Sequence, residues 1–319
     1  MTKKILMIKT SSMGDIIHAL PVAYDIAQAM PGAIVDWVAE ESFAELVQLS
    51  PYVNSVKVSA FRRWRKHLFD AQTFKEVQAF KADLRQENYD VVIDIQGLMR
   101  SALVGFWTQK PVVGYSFGAA KEPLASLTYA KTLYLPASIP AVYRYRLAVA
   151  TTLGYTVEES DVHYGLRALA SPSLDIDAPF AALAVNTSRD SKLWPEQYWV
   201  EIGHRFLEEG RLSVLFWGNA REKERSERIA AQIEGARVAP RTSLLNTGAL
   251  LARADVVVGV DTGLTHLAAA LARPSVGIFV STPTDRLSLV GEGPVISLGE
   301  SPSVQAVWES IQTVLKRGA

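Results

Sequence analysis

The stretch VVVGVDTGLTHLAAALA, residues 256–272, decides the fold class of this chain. Its first five residues, Val256–Val260, are continuously apolar, which is typical of a strand whose two faces are both buried. A polar turn, Asp261-Thr262-Gly263, follows, and the small apolar residues after it predict a closely packed helix. A strand that leads through a tight turn into a helix is the repeating unit of parallel α/β proteins.

The same alternation of apolar strands and helical stretches continues in both directions from residues 256–272. It predicts six more buried strands, which are Ile5–Ile8, Ile34–Val38, Val91–Ile93, Ala182–Val185, Ser213–Trp217 and Val276–Val280. One amphipathic helix is predicted over Asp15–Met30, and because Pro21 lies inside it, this helix either bends there or starts later. We therefore predict parallel sheets covered by helices throughout the chain.

A segment without helical or strand periodicity, LRALASPSLDIDAP at residues 166–179, interrupts the alternation. Its prolines and serines are typical of a linker between domains. The sequence therefore predicts two α/β domains, residues 1–168 and 169–319. Two such domains would face a central cleft, where proteins of this architecture bind their ligands.

The composition excludes several classes of protein. Lys and Arg number 33 and Asp and Glu number 33, so the formal net charge is zero and no overall positive field would attract nucleic acid. The absence of cysteine excludes disulfides, Cys-ligated zinc, iron–sulfur clusters and thiol nucleophiles. The apolar runs are far shorter than a membrane span, and Ile5–Ile8 is too short for a signal peptide, so we expect a cytoplasmic protein.

A second strand–turn–helix unit near the N-terminus carries the first candidate for catalysis. Residues 9–18, KTSSMGDIIH, place Lys9 and Asp15 after the first strand. Asp15 is interpreted either as a helix N-cap or as a general base that stays ionised beside Lys9. Gly14 is the only glycine of this turn, so the dinucleotide fingerprint of Rossmann dehydrogenases is absent.

The turn at residues 261–263 is a candidate phosphate site. Thr262 and Gly263 would present backbone N–H groups and a hydroxyl at the start of a helix, where anions bind favourably. His266, one turn later, would add a further donor. A carboxylate repels a phosphate, so Asp261 is interpreted either as a helix cap or as an acceptor of hydrogen bonds from sugar hydroxyls.

Two other strand ends predict ligand contacts in the second domain. Thr187 and Ser188 follow one predicted strand and precede Lys192, which suits a diphosphate leaving group. Glu222 follows the next strand at the start of a helix, where a carboxylate either binds a ribose diol or simply interacts with the helix dipole. No His and carboxylate residues have the spacing of metal ligands, so we predict neither a metal nor a cofactor, and Lys192 would balance the leaving-group charge.

The basic segment FRRWRKHLF, residues 61–69, is unusual in a chain without net charge. It places four fixed positive charges among aromatic residues, with Arg62 and Arg63 near its start. Such a run is either an ordinary solvated surface or a contact for an anionic lipid surface or a phosphorylated acceptor.

Together these segments resemble the lipopolysaccharide heptosyltransferases of glycosyltransferase family 9. The resemblance covers about residues 3–285 and rests on KTSSMGDIIHALP at 9–21, RRWRK at 62–66, DIQGL at 94–98, EPLAS at 122–126, WG at 217–218 and DTGLTH at 261–266. SSMGD and DTGLTH are shared across the family, whereas RRWRK and EPLAS favour its type I branch.

The resemblance implies a GT-B fold, in which two Rossmann-like α/β/α domains face a central cleft and the last helix, near Ser303–Leu315, packs back toward the first domain. It implies an inverting, metal-independent transfer of L-glycero-D-manno-heptose from ADP-heptose to the first Kdo of Kdo2-lipid A. The protein would bind peripherally to the cytoplasmic face of the inner membrane, and Asp15 would deprotonate the acceptor hydroxyl. The other implied contacts are Thr187, Ser188, Lys192, Thr262, Gly263 and His266 for the diphosphate, Glu222 for the ribose, Asp261 for the heptose, and Lys9, Arg62, Arg63 and Lys121 for the acidic acceptor.

Two positions depart from the family pattern, and three alternatives stay open. Ser188 stands where Thr is expected and keeps the hydroxyl, and Thr242 stands where Met is expected near the adenine. The alternatives are a family member with another acceptor or nucleotide sugar, a sugar-nucleotide epimerase of similar architecture, and a nucleotide-binding protein without activity. An epimerase would have no use for the basic segment at 61–69.

Overall fold

The computed structural model describes residues 2–167 and 174–318. The chain divides into two compact units, Met1–Arg167 and Ala168–Ala319, and each unit has its own sheet. The predicted boundary between residues 168 and 169 falls in residues 168–173, which lie outside the described residues, so this boundary stays a prediction.

The first unit is a six-stranded parallel sheet with helices between its strands. The strands are β1 (Lys4–Ile8), β2 (Ile34–Glu40), β3 (Ser55–Ser59), β4 (Val91–Asp94), β5 (Val112–Tyr115) and β6 (Lys131–Leu133). The helices are α1 (Met13–Ala19), α2 (Pro21–Ala29), α3 (Ala44–Gln48), α4 (Phe61–Trp64), α5 (Ala71–Gln86), α6 (Met99–Trp107) and α7 (Ala141–Leu153). The order across the sheet is β3-β2-β1-β4-β5-β6, so the winding reverses between β1 and β4.

The second unit repeats this plan. Its strands are β7 (Phe180–Ala184), β8 (Leu212–Leu215), β9 (Arg237–Val238), β10 (Val256–Val260), β11 (Ser275–Phe279) and β12 (Val295–Gly299). Its helices are α8 (Glu196–Glu208), α9 (Ala220–Ala230), α10 (Leu244–Arg253), α11 (Gly263–Ala270), α12 (Thr284–Leu287) and α13 (Val304–Gly318). The order β12-β11-β10-β7-β8-β9 reverses between β7 and β10, and both sheets thus have the strand order of Rossmann-like domains.

Burial on both faces explains why these strands are apolar at successive positions. Residues Ile5–Ile8 of β1 have no exposed surface, and every residue of β10 is buried. In the second unit, Trp194, Trp199 and Phe206 pack into the same core as β7 and β10. The last helix, α13, packs against β10, β11, β12 and α8 of its own unit.

The helix predicted over Asp15–Met30 is in fact two helices. α1 begins earlier, at Met13, and ends at Ala19, and α2 begins at Pro21. Proline cannot donate the backbone hydrogen bond that a continuous helix needs, but it suits the first position of a new one. No helix within residues 2–167 and 174–318 is long and apolar enough to cross a membrane.

Candidate functional site

The turn between β1 and α1 lies where the winding of the first sheet reverses. β1 pairs with β4, so the loops that follow these two strands emerge side by side. Gln96, in the loop after β4, accepts hydrogen bonds at its Oε1 from the backbone N–H groups of Thr10 and Ser11, at 3.1 and 3.2 Å. This amide fixes the course of the turn that leads to Asp15.

Asp15 is not the N-cap of α1. The N-cap is Ser12, and Asp15 occupies the third helical position. From there its Oδ2 accepts hydrogen bonds from the Ser12 backbone N–H at 3.1 Å and from the Ser12 hydroxyl at 2.9 Å. The interpretation of Asp15 as the cap itself is therefore wrong, although its carboxylate does stabilise the first turn.

Tyr145 on α7 links Asp15 to Lys9. Its hydroxyl accepts a hydrogen bond from Lys9 Nζ at 2.9 Å and donates one to Asp15 Oδ1 at 3.0 Å. Lys9 Nζ also lies 3.8 Å from Asp15 Oδ1. Because Lys9 is only 2% exposed, its charge depends on its neighbours, and the carboxylates of Asp15 and Asp94 both favour the charged form. We name this arrangement the Lys9–Tyr145–Asp15 chain.

Burial and the charge of the partner act in opposite directions on the pKa values of Asp15 and Lys9, and in the same direction on the pKa of Tyr145. Burial raises the pKa of Asp15, but the Lys9 ammonium and the hydrogen bonds from Ser12 outweigh it and hold that pKa well below its usual range. Burial lowers the pKa of Lys9 to about 8, against the attraction of Asp15. Burial also raises the pKa of Tyr145, so its phenol stays protonated. Asp15 is thus a stable anion beside a neutral donor.

Two of the residues expected to bind the acceptor lie near Asp15. Lys9 is part of the chain described above, buried below the turn. Lys121 is exposed, and its positive charge contributes to lowering the pKa of Asp15. Both therefore add positive potential around this carboxylate.

The other two expected acceptor contacts, Arg62 and Arg63, lie in α4 and differ from each other. The Arg62 guanidinium lies 5.1 Å from the centroid of the Phe43 ring. Arg63 forms ion pairs with Glu41 at 3.1 Å and Glu76 at 2.7 Å. Arg63 is thus already neutralised by protein carboxylates, whereas Arg62 stacks on an aromatic ring.

In the second unit, Asp261 follows β10 and is bound by several side chains. Lys192 Nζ and Thr282 Oγ1 both donate to its Oδ2, at 2.5 and 2.6 Å. His266 Nε2 lies 3.5 Å from its Oδ1. Thr187, which follows the neighbouring strand β7, donates its hydroxyl to the Asp261 carbonyl at 2.9 Å. The reversal point of the second sheet therefore brings four predicted donor residues together.

Asp261 is an anion that does not cap α11. The N-cap of α11 is Thr262, so the interpretation of Asp261 as a cap is wrong. Burial raises the pKa of Asp261, but hydrogen bonds from His266, Lys192 and Thr282 hold it well below its usual range. The backbone N–H groups of Gly263 and Leu264, at the start of α11, have no acceptor within the helix and are suited to an anion.

A cavity of about 370 Å³ collects the remaining predicted donor residues, Thr187, Ser188 and Glu222. Glu222 lies in the first turn of α9, and its Oε2 accepts a hydrogen bond from the Gly218 backbone N–H at 2.7 Å. That bond closes the turn after β8. Thr187 belongs both to this cavity and to the group around Asp261, so the two form neighbouring parts of one edge of the sheet.

Sequence analysis missed the side chains that complete these groups from distant segments. Tyr145 is 130 residues from Asp15, and Gln96 is 85 residues from Ser11. Gln96 belongs to DIQGL, which indicated the family but no role for this side chain. Across the described ranges, no group of three or more His, Asp or Glu side chains is arranged to hold a metal ion.

Two Rossmann-like domains with these two groups of polar residues are typical of glycosyltransferases of the GT-B class. The chain belongs to glycosyltransferase family 9 (heptosyltransferase), whose family model matches residues 77–309.

Individual relatives extend this match over nearly the whole chain. Lipopolysaccharide heptosyltransferase 1 of Pseudomonas aeruginosa is 43% identical over 280 residues, which are 88% of this chain and 79% of that protein. Two solved structures of the E. coli heptosyltransferase WaaC, one with ADP and one with ADP-2-deoxy-2-fluoro heptose, match with TM-scores of 0.87 and 0.81 at 35% and 36% identity. Each match covers 97% of this chain and 99% of that chain. The predicted family and fold class are confirmed.

Proposed function

We propose that this protein transfers L-glycero-D-manno-heptose from ADP-heptose to the first Kdo of Kdo2-lipid A, with inversion and without a metal ion. The observation that carries the proposal is the Lys9–Tyr145–Asp15 chain, which keeps a carboxylate ionised at the reversal point of the first sheet. Membership of the heptosyltransferase family supports heptose as the transferred sugar. The WaaC complex with a fluorinated ADP-heptose supports an ADP-linked donor.

The diphosphate of the donor would bind at the start of α11. Thr262 and Gly263 offer N–H groups at the positive end of the helix dipole, and His266 adds a donor from the next turn. Lys192 would supply the positive charge that balances the leaving ADP. Asp261, which already binds Lys192, would accept hydrogen bonds from the heptose hydroxyls.

The rest of the donor would occupy the cavity of about 370 Å³ next to this turn. The Ser188 hydroxyl would donate to the diphosphate, and the Thr187 hydroxyl would do the same after rotating away from the Asp261 carbonyl. Glu222, one oxygen of which is held by Gly218, would use its carboxylate to bind the ribose diol. The volume of the cavity is within the range of small-ligand sites.

Asp15 would take the proton of the acceptor hydroxyl. The hydroxyl oxygen forms a bond to the anomeric carbon while the bond from that carbon to the β-phosphate oxygen breaks, and ADP leaves with the electron pair. A carboxylate with a lowered pKa is a weak base, so we expect proton transfer after most of the new bond has formed, when the hydroxyl has become strongly acidic. Lys192 and the start of α11 would stabilise the charge on ADP.

The acceptor side of the proposal uses the positive groups of the first unit. Lys9 and Lys121 place positive charge around Asp15, and Arg62 and Arg63 belong to the basic segment at 61–69. A Kdo sugar carries a carboxylate and lipid A carries phosphates, so these cations would bind and orient the acceptor, and Arg63 would do so only by exchanging a protein carboxylate for an anionic group of the acceptor. Peripheral association with the cytoplasmic face of the inner membrane would give the protein access to this lipid.

The test is a transfer assay with purified protein. ADP should appear only when ADP-heptose and Kdo2-lipid A are both present, and the acceptor should gain the mass of one heptose. Asp15→Asn should lower kcat about 10²–10⁴-fold, because an amide cannot take the proton, with the Kd for ADP nearly unchanged. Asp161→Asn, which changes an exposed carboxylate of the same unit, is the matched control.

Other outcomes would favour the alternatives. A folded Asp15→Asn variant with near-wild-type kcat would exclude Asp15 as the base. Interconversion of a free nucleotide sugar without acceptor would favour an epimerase, and ADP binding without any turnover would favour a binding protein. Transfer only to a different lipid acceptor would keep the family and change the substrate.

A further inference from the structure

A large pocket in the first unit has no part in the donor or base chemistry described above. It measures about 910 Å³ and is lined by α4 with the turn after it, by α5 and by α6. We name it the α4–α6 pocket, and its apolar wall includes Phe61, Trp64, Leu68, Phe74, Leu103 and Trp107. Its volume lies near the upper end of the range for small-ligand sites.

An aromatic cluster forms part of this wall. The rings of Phe61 and Trp107 stack with their centroids 5.9 Å apart, and Trp64 meets Phe61 edge-on at 5.4 Å. The indole N–H of Trp64 donates to Glu76 at 2.8 Å, so the polar atom of that ring is already bonded. Phe61 and Trp64 therefore offer hydrocarbon surface, and the one polar atom of these two rings is already bonded.

Other apolar side chains of the pocket are widely exposed. Leu68 and Phe74 are 66% and 64% exposed, and Met99 and Leu103 are 45% and 41% exposed. All four line this one concavity. Large apolar residues that share a recess are typical of a binding site, whereas single exposed ones need no explanation.

The pocket also carries unneutralised positive charge. Arg62, Arg65 and Lys66 line it, and no carboxylate within residues 2–167 and 174–318 forms an ion pair with them. Arg63, in the same basic segment, is paired with two carboxylates and does not line the pocket. Apolar walls beside free cations match a molecule that has a hydrocarbon chain and an anionic group.

Arg100 connects this pocket to the turn that holds Asp15. Arg100 lines the pocket and donates a hydrogen bond to the Ser11 hydroxyl at 2.6 Å. Ser11 precedes Ser12, which binds the Asp15 carboxylate. A ligand in the pocket and a sugar at Asp15 can therefore be parts of one molecule.

We propose that the α4–α6 pocket takes one fatty acyl chain of the acceptor lipid, while phosphate groups of that lipid bind Arg62, Arg65 and Lys66. The inference rests on the proposed function, because it takes the acceptor to be a phosphorylated acyl lipid. A flat bilayer surface would leave a recess of about 910 Å³ unfilled, whereas a single chain enters it, so the concave shape favours the chain. Each methylene in the pocket should improve affinity about fourfold.

The kinetic test compares Kdo2-lipid A with the same acceptor after removal of its acyl chains. For the wild type, the acylated acceptor should have a KM at least about tenfold lower. Leu103→Gln should raise that KM about tenfold and leave the KM for the deacylated acceptor unchanged. Phe106→Gln is the matched control, because Phe106 lies on the same helix, is 69% exposed and does not line the pocket. Equal KM values of the wild type for the two acceptors, or equal effects of the two variants, would overturn the inference.

A binding test does not depend on turnover. Dodecyl phosphate with bromine on its terminal carbon should quench the fluorescence of Trp64 and Trp107, and removing two methylenes should weaken binding more than about tenfold. Leu103→Gln should also weaken the binding of the brominated dodecyl phosphate, whereas Phe106→Gln should leave this binding unchanged. Quenching together with no transfer to either acceptor would support the pocket and remove the proposed function. Absence of quenching would overturn the inference. Binding of the protein to phosphatidylglycerol vesicles that Leu103→Gln and Phe106→Gln weaken equally would also overturn it.

Discussion

Replacing Tyr145 by Phe removes one hydroxyl and with it both hydrogen bonds that join Lys9 to Asp15. In the variant, Asp15 keeps its two hydrogen bonds from Ser12, and Lys9 keeps the carboxylate at 3.8 Å. We expect Tyr145→Phe to lower the rate of heptose transfer and to narrow its pH profile from both sides.

The acidic and alkaline limbs move for different reasons. A hydrogen bond to a charged group contributes about 1.5–3 kcal/mol, and one pKa unit equals about 1.36 kcal/mol. Loss of the phenol donor should therefore raise the pKa of Asp15 by about 1–2 units and move the acidic limb to higher pH by that amount. The buried Lys9 ammonium loses its nearest acceptor, so its pKa falls below about 8 and the alkaline limb moves to lower pH.

At neutral pH two effects on kcat oppose each other. A higher pKa makes Asp15 a stronger base, but the logarithm of the rate rises by only a fraction of the about 1–2 units by which the pKa rises. A carboxylate that loses one of its hydrogen bonds is held less firmly in position, and a displacement of about 1 Å lowers the rate about 100-fold. We expect the loss of orientation to dominate, with kcat about tenfold lower. The KM for ADP-heptose should not change, because the donor residues belong to the other unit.

Initial rates of ADP release up to about pH 9.5 would measure the alkaline limb, and the chemical shift of the Asp15 carboxyl carbon, followed by NMR below about pH 5, would measure the pKa that sets the acidic limb. Tyr143→Phe is the control, because Tyr143 lies on the same helix and its hydroxyl makes no hydrogen bond with any residue that the structure describes. A profile that is lowered uniformly, with both limbs unmoved, would show that Tyr145 acts only through folding and would refute this account of the Lys9–Tyr145–Asp15 chain.

Three further outcomes test other parts of the structure. Lys192→Ala should raise the calorimetric Kd for ADP about 10–100-fold, since a hydrogen bond to a charged group contributes about 1.5–3 kcal/mol; an unchanged Kd would exclude Lys192 from the donor site. Arg146→Met should lower the free energy of unfolding, measured in urea, by about 3–5 kcal/mol. In the wild type Arg146 pairs with the Asp25 carboxylate at 2.7 Å, and the variant leaves this buried carboxylate without that partner. A loss below about 1 kcal/mol would contradict this prediction. Acidification below about pH 4 should lower the free energy of unfolding of the wild type more than that of Asp261→Asn. The pKa of Asp261 is lower in the folded protein than in the unfolded chain, so its ionised form stabilises the fold at higher pH, and this stabilisation disappears as the pH falls through the folded pKa. Equal losses of stability in the two proteins would contradict this prediction.

The sequence predicted the central strands well and the outer strands poorly. The prediction for β10, Val256–Val260, matches the structure at both ends, because a strand buried on both faces must be apolar throughout. The missed strands include all four edges of the two sheets, β3, β6, β9 and β12. β3, for example, reads SVKVS and is only partly buried, so it shows no continuous apolar run.

The candidate site was predictable where its residues are adjacent in sequence. Asp15 and Asp261 each lie in a short motif between a strand and a helix, and the structure places both at the reversal points of the sheets. Tyr145 and Thr282 come from other segments and reach these carboxylates only through tertiary packing. A lone tyrosine in a helix and a lone threonine in a loop have no local signature, so the sequence could not indicate them.

On the proposed assignment, the ion pair between Lys192 and Asp261 would make the second site selective for ligands that carry both phosphate and hydroxyl groups. A lysine alone beside a helix start would collect any phosphate in its surroundings. In this structure a phosphate must compete with Asp261 for the ammonium, and the displaced carboxylate then needs new donors, because it is largely buried. A fully ionised anion such as sulfate brings none. A sugar diphosphate would instead supply a phosphate for Lys192 and hydroxyl donors for Asp261 at the same time. The site would therefore bind ligands in which phosphate and hydroxyl groups occur together.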